Sequence, residues 1–416
     1  MTTSETAGLV VIGGSHAGHQ VAIAARAAGF EGPVTVLSDE RELPYQRPPL
    51  SKAYLMGKQP REALLFRPAA FYEEQGIDLR LGVGATAIDR AAHTVACDNG
   101  TILSYKKLVI ATGTRVRPLN VPGSDLGGVH YIRTLADIDA IMAELDRVKS
   151  VVVIGGGFIG LEGAAALKTM GRDVAVVELA DRLMARGVGA TVSEYYATHH
   201  RAQGVDVRLS TGVESLAGED GHVTGVVLSG GETLPADLVI VGIGVLPNQE
   251  IAAEAGIDCA NGIIVDELTQ TSDPDVLAVG DCAQFEGRFF DGPLRLESVQ
   301  NATDQARTAG AAVAGEKKPY DSAPWFWSDQ FDLKLQMTGI TAGYDTEVIR
   351  GDVAAGEFSV FYFKGDKWLG TDTVNQPANH IASRRLLDAG YALSKAEAGD
   401  EGLALKELVK AARKGG

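Results

Sequence analysis

A ten-residue pattern occurs twice in this chain, and the repetition limits the fold more than any other feature. Leu9-Val-Val-Ile-Gly-Gly-Ser-His-Ala-Gly18 returns as Val151-Val-Val-Ile-Gly-Gly-Gly-Phe-Ile-Gly160. Each copy starts with a continuous apolar run, as a strand buried on both faces requires, then passes through glycines into a segment rich in Ala and Leu. The spacing predicts helices over residues 17–28 and 159–170, followed by β-branched strands over 34–37 and 174–178. Both copies therefore read as βαβ units, which makes the chain an α/β protein with two related nucleotide folds.

The chemistry of such a unit is specific. Glycine lets the turn approach a pyrophosphate, the helix N-terminus aims unpaired N–H groups at it, and an acid ending the second strand holds a ribose. The second copy meets each requirement: Gly155, Gly157 and Gly160 have the motif spacing, Phe158 and Ile159 open the helix, and Glu178 ends the strand. In the first copy Gly13 and Gly18 are kept, but Ser15 replaces the middle glycine. Ala17 and His16 follow, and His16 reads either as an exposed helix-start residue or as a group at the site. Ser38 stands where Glu178 would match, so Asp39, one residue on, is the ribose candidate beside Glu40.

Two later segments look like strands returning to the first fold. Residues 108–113 end in Ala111, Thr112 and Gly113, and residues 276–281 end in Asp281. Asp281 is positioned either to accept from a sugar hydroxyl or to cap a helix before Cys282, itself read as a buried small residue.

With 416 residues the chain can bury two or three cores, and no run of about 18 uncharged apolar residues or signal-like start appears, so a cytoplasmic, non-membrane protein is expected. The net charge of −16 argues against nucleic acid as a partner. Cys97, Cys259 and Cys282 are too far apart in sequence to spell out a redox pair or a metal cage, so no metal is expected.

Five separated motifs carry a closer resemblance: Arg47-Pro-Pro-Leu-Ser-Lys52, Gly157-Phe-Ile-Gly-Leu-Glu162, Gly280-Asp281, Glu297-Ser-Val-Gln-Asn-Ala302 and Pro324-Trp-Phe-Trp-Ser-Asp-Gln330. In this order they resemble the NADH-dependent ferredoxin reductases of bacterial oxygenase systems, within the two-dinucleotide-binding flavoproteins. The resemblance covers nearly the whole chain. It implies a glutathione reductase-like architecture of two Rossmann-like domains plus a C-terminal α+β domain. An FAD-binding domain would comprise residues 1–116 and 249–323, an NADH-binding domain 117–248, and the last domain 324–416, with strands near 347–353, 358–364 and 367–372. The tail, 403–414, has apolar positions at Leu405, Leu408 and Val409, consistent with a docked amphipathic helix.

The same resemblance implies the roles of the site residues. FAD and NADH are the cofactors, and Lys52 lies beside the flavin, oriented by Glu162. An ammonium within about 4 Å of an anionic flavin is worth up to roughly 4 kcal/mol at an effective dielectric near 20. That bounds its effect on a two-electron couple at roughly 90 mV. Arg47 is a candidate donor to the FAD pyrophosphate. Glu297 serves the nicotinamide carboxamide, the flavin or a helix cap, and the backbone at Val299 faces the isoalloxazine edge. Trp327, rather than Trp325, is the aromatic expected beside the flavin. Glu178 favours NADH by repelling the extra phosphate of NADPH, although Arg182 and Arg186 are close in sequence. Gly244 and Pro247 resemble the family strand under the nicotinamide half.

The partner implied is a 2Fe-2S ferredoxin that supplies an oxygenase, a haem-thiolate monooxygenase or a Rieske dioxygenase. Its docking is expected to be transient and electrostatic, with Arg307, Lys334, Arg384 and Arg385 as candidate contacts on a monomer. A disulphide reductase or an NADH oxidase of this fold would need cysteine in the region after Asp39, which has none. The remaining alternatives are a rubredoxin reductase and a non-catalytic flavin-bearing protein of the apoptosis-inducing-factor type.

Overall fold

The computed structural model describes residues 8–412, which form two compact units. The first draws on residues 8–46, 61–115 and 246–324, and the second on 47–60, 116–245 and 325–412. The 47–60 segment, expected with the rest of 1–116, thus packs with the second unit.

In the first unit the strands Ile77–Leu81, Val34–Ser38, Gly8–Ile12 and Ile102–Ile110 run parallel in that order, and Val276–Ala278 adds to the last of them. Both faces of Gly8–Ile12 are covered, which is why its sequence is an unbroken apolar run: Leu9 and Val11 pack in one core, Val10 and Ile12 in the other. The helix His16–Ala27 lies against the helix Val299–Val313, so closely that a Cβ on Gly310 would meet that of Ala24 at 2.5 Å.

The second unit repeats the plan. Asp206–Arg208, Asp173–Val177, Ser150–Ile154, Leu238–Val241 and Val129–Tyr131 form its parallel sheet in that order, with the helix Phe158–Thr169 after Ser150–Ile154. One face is covered by the antiparallel strands Val213–Glu219, His222–Leu228 and Thr233–Pro235, through Val152, Ile154, Val226 and Leu228. The C-terminal part is a five-stranded antiparallel sheet, ordered Trp325–Gln330, Leu333–Gly339, Lys367–Val374, Glu357–Lys364 and Thr346–Asp352. The helices Pro377–Asp388 and Leu405–Ala412 pack on Phe361, Phe363 and Trp368. Leu405, Leu408 and Val409 are buried, so the tail is docked; its expected extension to Lys414 lies outside the described residues.

Most elements fall within a residue or two of their expected bounds, and two local alternatives fail. Asp281 does not cap a helix, because it sits inside the one-turn Gly280–Cys282, which leads into a short strand. Glu297 is not a cap either: Ser298 holds that place, its Oγ accepting from the Asn301 amide at 3.0 Å. Cys282 is fully buried, and all three cysteines are free thiols. Among the described residues no helix is long and apolar enough to cross a membrane, and no cluster of His, Cys, Asp and Glu could hold a metal ion.

Candidate functional site

Each glycine loop is shaped by the chain on one side and left open on the other. Gly13 and Gly155 have φ of 109° and 107°, which L side chains rarely adopt, and a Cβ on either would run into a backbone carbonyl. A Cβ on Gly18 would lie 1.7 Å from the Gly13 carbonyl oxygen, and one on Gly160 2.4 Å from that of Gly155, so both are fixed by helix–strand packing. Gly157 differs: a Cβ there would meet nothing nearer than the Gly242 carbonyl oxygen at 4.0 Å. The chain itself does not demand that glycine. An open approach at a helix start with no side-chain cap is what a pyrophosphate needs, so the second loop fits a dinucleotide. In the first loop Ser15 occupies the matching place and makes no side-chain cap with the helix that begins at His16, with Ala17 and Gly18 in its first turn. The amides of that turn suit the diphosphate of FAD.

The acids at the strand ends are placed differently. Glu178 follows Asp173–Val177 and accepts from the Gly156 amide at 2.6 Å and the Ala180 amide at 2.8 Å, which fixes its carboxylate at the glycine loop. Ser38 is buried, Asp39 is exposed just beyond its strand, and Glu40 accepts from the Tyr45 hydroxyl. Arg182 is committed to the backbone, donating to the carbonyls of Val188 at 2.8 Å and Ala185 at 2.7 Å. The Arg186 guanidinium lies at Gly244, just before the strand Val245–Pro247, where a Cβ would come 3.2 Å from its Nη2.

In the first unit Ala111 donates to the Ile12 carbonyl at 2.7 Å, and Thr112 and Gly113 are laced to Asn248 by three hydrogen bonds of 2.6–3.0 Å. Pro247 accepts from Arg115 at 3.2 Å. Asp281 receives the Thr114 hydroxyl at 3.4 Å. A residue not anticipated, Arg295, is nearly buried and joins two that were: it donates to the Asp281 carbonyl at 3.0 Å and pairs with the Glu297 carboxylate at 2.7 Å. Val299 opens the helix that follows.

The second unit brings Lys52 and Glu162 together. Pro48 and Pro49 start the one-turn Pro48–Ser51, which delivers Lys52 at its end, and its Nζ lies 2.9 Å from Glu162 Oε1. Glu162 is only 3% exposed, on the helix behind the second glycine loop. Burial pushes its carboxyl above the usual range, opposed chiefly by the Lys52 ammonium. Two further donors had not been anticipated: Ser51 Oγ at 2.5 Å and Ser328 Oγ at 2.6 Å. Both serines stand inside the motifs that carry the resemblance, one residue from Lys52 and from Trp327, yet nothing in those motifs marks a serine as a donor to Glu162.

Arg47 donates to the Arg133 carbonyl at 2.5 Å, which fixes the start of the Pro-Pro turn. Trp325 and Trp327 stack on one strand with centroids 5.4 Å apart, and Phe158 packs against Phe326 at 4.9 Å. Of the basic candidates, the Arg384 guanidinium lies 4.5 Å above the Trp325 ring, Lys334 and Arg385 are exposed, and Arg307 pairs with Asp304 at 2.7 Å.

Two glycine loops of this geometry, a strand-end acid and a Lys–Glu ion pair on a buried glutamate define a two-dinucleotide reductase. The chain belongs to the pyridine nucleotide-disulphide oxidoreductase family, which it matches over residues 7–306, and it carries the C-terminal domain of such reductases over 325–409. It is 46% identical over 398 residues to rhodocoxin reductase of Rhodococcus erythropolis, covering 96% of this chain and 93% of that one. The ferredoxin reductase for the CYP199A2 system from Rhodopseudomonas palustris superimposes with a TM-score of 0.95 at 46% identity, covering 97% of this chain and all of that one. The reductase of the covalent putidaredoxin reductase–putidaredoxin complex does so with 0.94 at 40% identity, over 99% of this chain and all of that one. The chain is thus an enzyme of this class, an oxidoreductase using FAD and a nicotinamide dinucleotide.

Proposed function

We propose that this chain takes reducing equivalents from NADH and delivers single electrons to a 2Fe-2S ferredoxin that serves an oxygenase in the cytoplasm. The observation that carries the reading is the ion pair of partly exposed Lys52 with buried Glu162, in a two-loop reductase whose segment after Asp39 has no cysteine. FAD, when bound, would supply the two-electron acceptor for hydride and the one-electron donor that the chemistry requires.

The chain's own residues bind, orient and supply charge. The first unit would hold FAD through the amides at Ser15, His16, Ala17 and Gly18, with Asp39 toward a ribose and Asp281 toward the ribityl chain. The second would hold NADH through the loop at Gly155–Gly160, with Glu178 accepting from ribose hydroxyls and disfavouring a 2′-phosphate. Arg182 spends donors on two loop carbonyls, which leaves it less free to hold a 2′-phosphate, and Arg186 reaches Gly244, on the strand assigned to the nicotinamide half. Lys52 supplies a fixed positive charge for the electron-rich flavin, and Glu162 holds it there. Glu297, oriented by Arg295, is the candidate for the carboxamide. Trp327 is the candidate aromatic beside the flavin, and Arg307, Lys334, Arg384 and Arg385 are candidate contacts for an acidic ferredoxin on a monomer.

Anaerobic addition of NADH to FAD-loaded protein, followed by a panel of ferredoxins and rubredoxins, tests the proposal. Flavin bleaching with subsequent ferredoxin reduction is expected. Preferential turnover of a rubredoxin would move the chain to the rubredoxin reductases.

A further inference from the structure

The Lys52–Glu162 pair is not held by its two members alone. Glu162 Oε2 accepts from Ser51 Oγ at 2.5 Å, while Oε1 accepts from both Lys52 Nζ at 2.9 Å and Ser328 Oγ at 2.6 Å. A serine hydroxyl has one proton, so Ser328, having given it to Glu162, can only accept elsewhere. It does: Gln330 Nε2 donates to Ser328 Oγ at 3.1 Å. That orients the Gln330 amide, and its Oε1 meets His200 Nε2 at 2.8 Å. Ser51, Glu162, His200, Ser328 and Gln330 are all at most 5% exposed, so water does not offer replacement partners.

Direction runs one way along this chain of bonds. His200 donates to Gln330, Gln330 to Ser328, and Ser328 to a carboxylate that donates to nothing. A protonated Glu162 could place its proton only by turning a serine hydroxyl from donor into acceptor, and it would forfeit the attraction of the Lys52 ammonium. Ser51, Ser328 and Lys52 all donate to the carboxyl group, so the arrangement is built for the ionised form. The cation facing it is Lys52. Nearby on the packed elements are Tyr196 and His200 of the helix Ala190–Ala202: burial pushes the phenol well above its ordinary value and lowers the imidazole to about 4, so both are neutral near pH 7. Asp329 of the strand Trp325–Gln330, Asp372 and Tyr195 act on the same phenol as Glu162 does.

We propose that Ser51 and Ser328 are positioning residues which keep Glu162 ionised and aimed at Lys52, so that the strand Trp325–Gln330 of the C-terminal sheet supports the charge pair used in NADH oxidation. The inference rests on the role proposed above for that pair. Ser328 does so as the last link of the relay from His200 and Gln330, and Ser51 as an independent second donor.

The direct test reads the carboxyl group itself. Infrared difference spectra of the FAD-loaded enzyme, with E162Q marking the Glu162 band, give the pH at which that carboxyl protonates. A hydrogen bond to an ionised acceptor is worth about tenfold or more in proton affinity. In S328A and in S51A the midpoint should therefore rise by about one pH unit or more, and further in the double variant. Ser359, equally buried in the same sheet but bonded to Asn379 at 3.0 Å, is the control, and S359A should leave the midpoint in place. The acid limb of NADH-driven flavin bleaching should move by the same amount in the two serine variants. Midpoints unchanged in both S328A and S51A would overturn the proposal, as would a shift of equal size in S359A. If the midpoints move and bleaching does not follow, the serines govern Glu162 and it is the proposed role of the pair in NADH oxidation that fails.

Discussion

Glu178 has its carboxylate fixed by two amides of its own unit, the nearer at 2.6 Å, so its oxygens meet a ligand in one orientation. E178Q keeps the shape and removes the charge; NADH affinity should fall about tenfold or more, since a hydrogen bond to a charged acceptor is worth roughly 1.5–3 kcal/mol. NADPH should lose much less, and parallel losses for the two coenzymes in a binding titration would remove Glu178 from discrimination. K52M should retain FAD yet slow anaerobic bleaching at least tenfold in rapid-mixing traces. Unchanged pre-steady-state reduction would remove Lys52 from the mechanism. What the sequence displayed at this scale was local or motif-borne: glycines at fixed spacing, an acid at a strand end, a lysine after two prolines. Ser51 and Ser328 were hidden for a physical reason. Their partner Glu162 lies 111 and 166 positions away, and serine carries no pattern that announces a buried donor. Arg295 escaped for a different reason: its partners Glu297 and Asp281 are close in sequence, but a lone arginine in a loop carries no pattern that marks such contacts.

At the scale of elements, the helix Ala190–Ala202 starts without a cap of its own and takes one from the C-terminal sheet. The Tyr362 hydroxyl accepts from the Gly189 amide at 3.1 Å and donates to Asp372 at 2.7 Å, while Glu347 accepts from the Ala190 amide at 2.9 Å. Asp372 is fully buried, and burial pushes its carboxyl up to about 7. The folded protein therefore keeps a proton there over a range in which the unfolded chain, with its ordinary value of 3.8, has lost it. That contribution to stability is complete below about pH 4 and disappears as pH rises through about 7. D372N cannot ionise, so its thermal midpoint should gain on the wild type between pH 5 and pH 8; midpoints that stay parallel would contradict this. The elements most visible in sequence were those with one dominant pattern, such as the two apolar strands before the glycines and the β-branched runs now seen as Val34–Ser38 and Asp173–Val177. Glu357–Lys364 and Lys367–Val374 were expected only from the family resemblance. Trp325–Gln330 had no clean alternation, since its first three residues are all partly exposed, and it entered only as a motif. The allocation of residues 47–60 to the second unit was illegible because chain proximity placed them beside the first glycine loop.

The whole molecule carries a net charge of −16, so an acidic ferredoxin must find a local basic field to dock. Arg384 and Arg385 lie on the helix Pro377–Asp388, with Arg384 over Trp325. Charge reversal at both should lower ferredoxin turnover several-fold at low salt, and raising ionic strength should narrow the gap between variant and wild type. Turnover flat across a wide salt range would argue against electrostatic docking. The class of the molecule was legible early, because a repeated βαβ motif and five ordered family motifs leave few folds open. The identity of the ferredoxin was not, since that information resides in another chain. The most direct measurement is rapid anaerobic mixing of the FAD-loaded protein with NADH, with absorbance followed through a second addition of oxidised 2Fe-2S ferredoxin. The account predicts that the yellow flavin bleaches and that its colour returns as the ferredoxin is reduced; a protein that takes up no flavin, or a flavin indifferent to NADH, would contradict it.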